Sequence, residues 1–207
     1  MLNKEYEKIV KSLNKFFNIF NKELFDGELK DCVVTVQTNG RSKNTMGWFT
    51  VGKMWDSKTE EAGAVHEINL AAEFLDRPSL EILVTLLHEM IHLYCQLNKI
   101  QDTSRNGRWH NKKFKQESED RLMNVEKRDG IGWSRTTATE ELEALINANM
   151  DEEDTFTIYR KREAAGLSKP KQRIFKYECL LCGGKVRGSK ELAIMCCDEE
   201  MEVTTNI

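Results

Sequence analysis

The feature that most constrains the fold is an almost continuously apolar segment, Leu80 to Leu97, which contains the run His88-Glu89-Met90-Ile91-His92. A helix with this sequence would be apolar nearly all round, so it must be buried. Burying two histidines and a glutamate is costly unless a partner satisfies them. A metal ion is such a partner, and we therefore expect a metal site on this helix.

The spacing of the two histidines fits metal binding. Residues four apart lie on one helix face with about 5–6 Å between them, so both imidazoles can bind one ion. Glu89 lies one position further round, where its carboxylate can act on a water molecule rather than share the ion. The HExxH pattern therefore predicts a hydrolytic zinc site with His88 and His92 as ligands and Glu89 as the catalytic base.

A third ligand must come from another part of the chain, because catalytic zinc ions commonly have three protein ligands and an open fourth position. His110 is the leading candidate, as the remaining histidine downstream of the motif. Cys95 lies on nearly the same helix face but about 4.5 Å further along the axis than His92. Three carboxylates are alternatives: Glu117, Glu119 and Asp120. His66 is interpreted as an ordinary strand histidine.

The cysteines predict a second metal site. Four of the six lie near the C-terminus, and this clustering in a reducing compartment indicates metal binding rather than disulfides. Cys179 and Cys182 form a CxxC pair, whereas Cys196 and Cys197 are adjacent, so Glu199 could replace Cys197 as the fourth ligand. A structural zinc ion is the expected occupant, and a metal-free hairpin is the alternative.

Composition sets the class of protein. With 207 residues and 40% apolar content, the chain can form one sizeable core and a small additional module. The N-terminal residues are charged throughout, and the longest apolar run is interrupted by the histidine motif, so neither a signal peptide nor a membrane span is expected. We therefore expect a cytoplasmic protein, and a monomer.

Charge is unevenly distributed along the chain, although the net charge is only −3. Between Thr139 and Thr155 there are seven acids and no base, whereas between Arg160 and Lys190 there are ten bases and two acids. Such runs are often solvated surface. The basic C-terminal region could instead bind an anionic partner such as DNA.

Apolar periodicity predicts an α+β fold. We expect an amphipathic helix, a small three-stranded sheet, the metal-binding helix with Ser79 or Asp76 as its cap, and a further helix carrying His110, Phe114 and Leu122. The predicted bounds are Tyr6–Phe25 for the first helix, Cys32–Thr38, Met46–Val51 and Ala64–Leu70 for the strands, and Ser79 to about Asn98 for the metal-binding helix. The domain prediction is 1–138 for the metal-binding domain, 139–172 for a connector and 173–207 for the cysteine module.

Several segments together resemble the SprT-like metalloproteases, which include the Spartan proteases that act on DNA–protein crosslinks. The matching segments are Asn21–Leu29, Met46–Phe49, Ile68–Leu70, Leu86–His92, His110 with Phe114, and the first cysteine knuckle, Tyr177–Cys182. The sequence Asn111-Lys112-Lys113 after His110 departs from the family, as do the adjacent cysteines.

The resemblance implies a zincin-like minimal protease domain with a C-terminal β zinc-ribbon-like module. It implies one catalytic zinc ion on His88, His92 and His110 and a zinc-dependent endopeptidase that cleaves proteins bound or crosslinked to DNA. Two alternatives remain open: a zinc peptidase that acts on a regulatory protein such as a repressor independently of DNA, and a non-catalytic zinc- or DNA-binding protein.

Overall fold

Four helices and four small sheets are present among the residues that the structure describes, so the fold is mixed α+β. The structure is a computed structural model and describes residues 2–30, 32–38, 44–59, 63–161 and 174–206. The chain divides into two compact units, Met1–Lys161 and Arg162–Ile207. No helix in the described ranges is long and apolar enough to cross a membrane.

Helix α1, Leu2–Leu24, confirms the predicted amphipathic helix and begins four residues before the predicted start. Its buried apolar side chains recur at helical spacing and pack into the core of the first unit: Ile9, Leu13, Phe16, Phe17 and Phe20. The helix is followed by Asp26 and Gly27, which both have positive φ and turn the chain towards the first sheet.

The first sheet contains the three predicted strands in the order β1-β3-β2. Strand β1 (Cys32–Gln37) is parallel to the central strand β3 (Val65–Ala71), and β2 (Gly47–Trp55) is antiparallel to β3. Strand β2 is therefore an edge strand, and it extends four residues beyond its predicted end.

Helix α2, Ser79–Leu97, is the predicted metal-binding helix and has buried residues on nearly every side. Helix α1 and strands β2 and β3 contact it. The prediction that Ser79 caps this helix is wrong: Pro78 occupies the N-cap position and Ser79 is already helical. Pro78 provides no side-chain cap, and its carbonyl instead accepts the first backbone hydrogen bonds, from Glu81 and Ile82.

A second, four-stranded sheet follows α2 and was not predicted. Its strands are β4 (Thr103–Ser104), β5 (Trp109–His110), β6 (Met123–Arg128) and β7 (Gly132–Ala138), in the order β4-β5-β7-β6. The prediction that one helix carries His110, Phe114 and Leu122 is wrong in two respects. His110 lies on β5, and helix α3 spans Lys112–Glu119, so Leu122, with φ of 62°, lies after its end.

The first unit continues beyond the predicted boundary at residue 138. Helix α4, Glu140–Asn149, buries Leu142 and Ile146 in the core of this unit. The segment after α4 also belongs to this unit. The carboxylate of Asp154 accepts a hydrogen bond from Ser12 Oγ at 2.6 Å, and Arg160 forms an ion pair with buried Glu73. Residues 139–161 thus pack on the first unit, whereas residues 162–173 of the predicted connector lie outside the described residues.

The second unit is a small β module. Strands β8 (Phe175–Glu178), β9 (Lys185–Gly188) and β12 (Glu202–Asn206) form one sheet in the order β12-β8-β9. Two two-residue strands, β10 (Met195–Cys196) and β11 (Glu199–Glu200), form a hairpin. Among the residues described in this unit, the buried core consists of Tyr177, Cys179 and Met201.

Candidate metal centre

Three histidines meet at one point in the first unit. Helix α2 contributes His88 and His92, and the short strand β5 contributes His110. The Nε2 atom of His110 lies 3.2 Å from that of His88 and 3.1 Å from that of His92. Three nitrogens that each bind a tetrahedral zinc ion lie about 3.3 Å apart, given Zn–N distances of about 2.0–2.1 Å. The three nitrogens are therefore spaced as ligands of one ion.

The second nitrogen of each ring indicates how the three imidazoles are protonated. His92 Nδ1 lies 2.5 Å from Asp102 Oδ2, and His110 Nδ1 lies 3.3 Å from the carbonyl oxygen of Ile131. His88 Nδ1 lies 3.2 Å from the Thr136 hydroxyl. A carboxylate and a carbonyl can only accept, and a hydroxyl can accept, so these contacts favour a proton on each Nδ1.

With protons on Nδ1, three Nε2 lone pairs converge with no hydrogen between them. Such an arrangement is repulsive unless a cation lies among the nitrogens, and the donor set of three neutral imidazoles suits zinc. Burial and the two neighbouring histidines lower the pKa of His88 well below its usual value, and burial lowers the pKa of His110 to about 4. These residues thus fit a divalent cation.

Asp102 connects the two elements that carry the histidines. Its carboxylate orients His92, and its backbone carbonyl accepts a hydrogen bond from the Asn111 amide at 2.9 Å. Asn111 in turn caps α3, because its side-chain oxygen accepts from the amides of Lys113 and Phe114. Sequence reasoning missed Asp102, although it is the sole acidic residue between His92 and His110.

Strand β7 holds His110 in place through close backbone packing. His110 pairs with Gly132 in parallel register, and its amide donates to the Ile131 carbonyl at 3.0 Å. A Cβ atom at Gly132 would collide with the His110 carbonyl oxygen, and the residue has φ of 79°. Only glycine therefore fits this approach well.

Phe114 of α3 forms an apolar wall for the three imidazoles. Its ring centroid lies 4.7 Å from those of His88 and His92 and 4.6 Å from that of His110, and the side chain is fully buried. Packing of this kind restricts the rotamers of all three rings.

Glu89 is buried on α2, beside strand β2. The backbone amide of Phe49 donates to its carboxylate, and a Cβ atom at Gly47 would lie 3.2 Å from Glu89 Cγ. Burial raises the pKa of Glu89 to about 7, against the opposing effects of His92 and the Phe49 amide. A carboxyl group with its pKa near neutrality can both accept and donate a proton.

The structure does not bring the alternative third ligands into the histidine cluster. Cys95 is fully buried, and burial raises its pKa to about 12. Each carboxylate has a partner elsewhere: Glu117 pairs with Arg121, Glu119 pairs with Lys115, and Asp120 accepts from Gln116. His66 lies buried on β3 with its ring 5.5 Å from that of Phe49.

The second unit brings the four C-terminal cysteines together. The sulfur atoms of Cys179, Cys182, Cys196 and Cys197 lie within 4.8 Å of one another, and Glu199 is not part of the group. The Cys182–Cys196 and Cys196–Cys197 sulfur distances are 3.6 and 3.9 Å. Tetrahedral zinc with Zn–S distances of about 2.3 Å requires about 3.8 Å between sulfurs, so the group fits zinc.

Cys196 and Cys197 are adjacent in sequence, yet both sulfurs reach the four-cysteine cluster because of the hairpin that contains them. Cys197 and Asp198 form the two-residue turn between β10 and β11, with φ values of 53° and 64°. The amide of Cys182 lowers the pKa of Cys179 to about 7, whereas hydrogen bonding of the Cys196 thiol to its neighbouring thiols, Cys182 first, raises the pKa of Cys196 to about 12. A cation would allow all four thiols to ionise.

The described residues thus form a mixed α+β fold with a three-histidine cluster, built from the HExxH helix and strand β5, and a four-cysteine cluster in the β module. A comparison with protein families identifies the family: the model of the SprT-like family matches residues 13–128, more than half of the chain. The chain belongs to the SprT-like family. A search among curated proteins found no match.

Proposed function

We propose that this chain is a zinc-dependent endopeptidase with a zincin-like catalytic unit, in which His88, His92 and His110 hold zinc and Glu89 is the catalytic base. The observation that carries the proposal is the convergence of three imidazoles beside the buried Glu89 of helix α2: His110 Nε2 lies 3.2 Å from that of His88 and 3.1 Å from that of His92. Membership of the SprT-like family, which suggests a zinc-dependent peptidase-like function, supports the same conclusion.

Zinc at this site would supply Lewis-acid chemistry, which polarises a peptide carbonyl and lowers the pKa of water. Glu89 takes the proton from the attacking water and passes it to the leaving amine. The Phe49 amide orients the Glu89 carboxylate, and Asp102, Thr136 and the Ile131 carbonyl orient the three imidazoles.

Strand β2 is the surface on which an extended substrate would lie. It forms the edge of the first sheet, and the Phe49 amide points to Glu89 rather than to β3. Backbone hydrogen bonds to an edge strand provide affinity that does not depend on the side chains of the substrate. The enzyme would therefore cleave a broad range of unfolded sequences.

The catalytic proposal is tested with Glu89→Gln. We expect this variant to bind as much zinc as the wild-type protein and to lose hydrolysis of a casein substrate by at least about a hundredfold, since general-base catalysis contributes about that much. Glu81→Gln is the matched control, because Glu81 lies on an exposed part of the same helix. Unchanged hydrolysis by the Glu89 variant would refute the proposal.

The substrates we propose are proteins bound or crosslinked to DNA. The basic excess between Arg160 and Lys190 and the half-buried ring of Phe175 support a nucleic-acid contact. The test compares hydrolysis of a DNA-bound protein with that of the same protein free, at two salt concentrations. Equal rates would favour a peptidase that acts on a regulatory protein without DNA.

The four cysteines are proposed to hold a structural zinc ion. Four thiolate ligands leave no open position, which is typical of structural sites. The buried core among the described residues of this unit has three members, so a bound metal would contribute strongly to its stability.

A further inference from the structure

The four clustered cysteines of the second unit differ in exposure. Cys182 and Cys197 are exposed, Cys196 is half-buried, and Cys179 is buried. A Cβ atom added at Gly184 would lie 3.3 Å from the sulfur of Cys182 and 4.0 Å from that of Cys196. Because glycine has no such atom, space remains beside both sulfurs, and a small solute can approach them there.

The geometry of the cluster favours one disulfide over the others. The sulfurs of Cys182 and Cys196 lie 3.6 Å apart. Cys196 and Cys197 are consecutive, so their Cα atoms are about 3.8 Å apart, less than the roughly 4.4–6.8 Å that disulfides usually span. Cys179 is 3% exposed, so a solute reaches its sulfur least readily. The pair Cys182–Cys196 therefore combines access to an oxidant with a partner close by.

The other two cysteines, Cys32 and Cys95, lie in the first unit and are protected. Cys95 is fully buried, Cys32 is half-buried, and burial raises the pKa of each thiol to about 12. The thiolate is the form that oxidants attack, so both residues resist oxidation. The histidine cluster consists of three imidazoles and offers no sulfur to an oxidant. Thiol oxidation would therefore be confined to the second unit.

We propose that Cys182 and Cys196 form an oxidation site, at which a peroxide converts the two thiols to a disulfide. In the first step, one oxygen atom passes from hydrogen peroxide to the Cys182 sulfur, which gives a sulfenic acid and one water. The Cys196 sulfur then attacks the Cys182 sulfur, the S–O bond breaks, and the hydroxyl group leaves with the Cys196 proton as a second water. The two sulfurs lose two electrons in total, and the peroxide gains them.

Oxidation would release the metal from this cluster, because two of its four ligands are lost. This consequence rests on the structural zinc ion proposed above, whereas formation of the disulfide does not require it. Cys179 also belongs to the small buried core described for the second unit, so metal release would loosen that core. The histidine cluster would keep its ion. The second unit would thus respond to peroxide while the proposed catalytic centre does not.

The test treats the zinc-loaded, full-length protein with hydrogen peroxide. Released zinc is followed with a chromogenic chelator, and disulfides are mapped by peptide mass spectrometry. We expect release of one zinc ion per chain together with a Cys182–Cys196 disulfide, and recovery of both thiols on reduction with dithiothreitol. Amide hydrogen exchange should become faster over residues 174–206 and stay unchanged over residues 79–97, which form the HExxH helix.

Cys182→His and Cys197→His are the matched pair of variants. Both keep four potential ligands, since three cysteines and one histidine are a common ligand set for structural zinc. Only Cys182→His removes a sulfur of the proposed disulfide. We expect zinc release by peroxide to be at least about tenfold slower in Cys182→His than in the wild-type protein, and within about twofold of wild type in Cys197→His.

Equal release rates from the two variants would overturn the proposal. So would a wild-type disulfide that joins Cys182 to Cys179 or to Cys197. If a variant binds less zinc from the start, the disulfide map of the wild-type protein decides alone.

The proposed functions fail by different results. Untreated protein without zinc on its cysteines would refute the structural ion, and the disulfide map would still test the oxidation site. Casein hydrolysis that persists in Glu89→Gln would refute the peptidase and would leave the oxidation result standing.

Discussion

Individual residues outside the histidine cluster explain why the three imidazoles can turn towards one point. Asp102, Thr136 and the Ile131 carbonyl each occupy the Nδ1 side of one ring, so the Nε2 sides turn towards a common point. From the sequence, the spacing indicates the two helix histidines, and His110 is the leading third candidate, with Cys95 and three carboxylates left open. The sequence could not predict Thr136, because a threonine on a strand 48 residues from His88 carries no local signal.

Asp102 gives the first residue-scale prediction. Asp102→Asn keeps the shape of the side chain but weakens the orientation and basicity of His92, so we expect zinc affinity to fall about 10–100-fold. Asp129→Asn, in the exposed turn after β6, is the matched control and should leave affinity unchanged. Competition with a fluorescent zinc chelator measures both. Equal affinities of the two variants would show that Asp102 does not support the site.

The role proposed for Glu89 makes hydrolysis dependent on pH. A general base must be ionised, so hydrolysis is lost as the pH falls through the pKa of Glu89. Burial raises that pKa to about 7, and a bound cation would oppose the shift. We therefore expect kcat/KM to fall between about pH 7 and pH 5 in zinc-saturated protein. A pH–rate profile checks this, and a flat profile over the range would exclude Glu89 as the base.

At the scale of elements, the apolar periodicity of the sequence is sufficient to predict the helices and strands that are long. Helices α1 and α2 and the strands of the first sheet were predicted close to their observed bounds. The second sheet was missed because β4 and β5 have two residues each and β6 and β7 carry many charged or polar side chains. These strands are specified by contacts with α2 and α3, which local sequence does not reveal.

The contact between β5 and β7 can be tested with two glycines in one turn region. Gly130 and Gly132 both have positive φ, but only a Cβ atom at Gly132 would collide with His110. Gly130→Ala should cost about 1–2 kcal/mol of unfolding free energy from φ alone. Gly132→Ala should cost about 2–5 kcal/mol, because overpacking is added, and it should also weaken zinc binding. Urea unfolding measures the difference, and equal costs would contradict this account of β7.

Strand β2 gives the second element-scale prediction. Residues Gly47 to Thr50 pair with β3, whereas Val51 lies just beyond this paired stretch and two residues after Phe49. Val51→Pro removes one backbone amide from the edge, so we expect a lower kcat/KM for peptides. Val51→Ala keeps the amide and should retain activity. Peptide cleavage by the proline variant at the rate of the alanine variant would remove β2 from the substrate site.

At the scale of the whole molecule, the chain consists of two units, and the described residues of each contain one candidate metal group. The two clusters could be predicted from residue types, because histidine and cysteine spacings are local. The extent of the first unit could not: the acidic run that suggests a connector contains Leu142 and Ile146, which the core buries, and Asp154, which Lys15 and Ser12 bind. A run of acidic residues suggests a solvated segment, but it does not show which of the carboxylates form hydrogen bonds or ion pairs in the folded unit.

The most direct test of the account is the zinc content per chain of the purified protein, determined by mass spectrometry for the wild type, His110→Ala and Cys182→Ala. We predict two zinc ions in the wild-type protein and one in each variant, because each substitution removes a ligand from one cluster only. A wild-type protein with one zinc ion, unchanged by His110→Ala, would contradict the central claim that three imidazoles hold a metal beside Glu89.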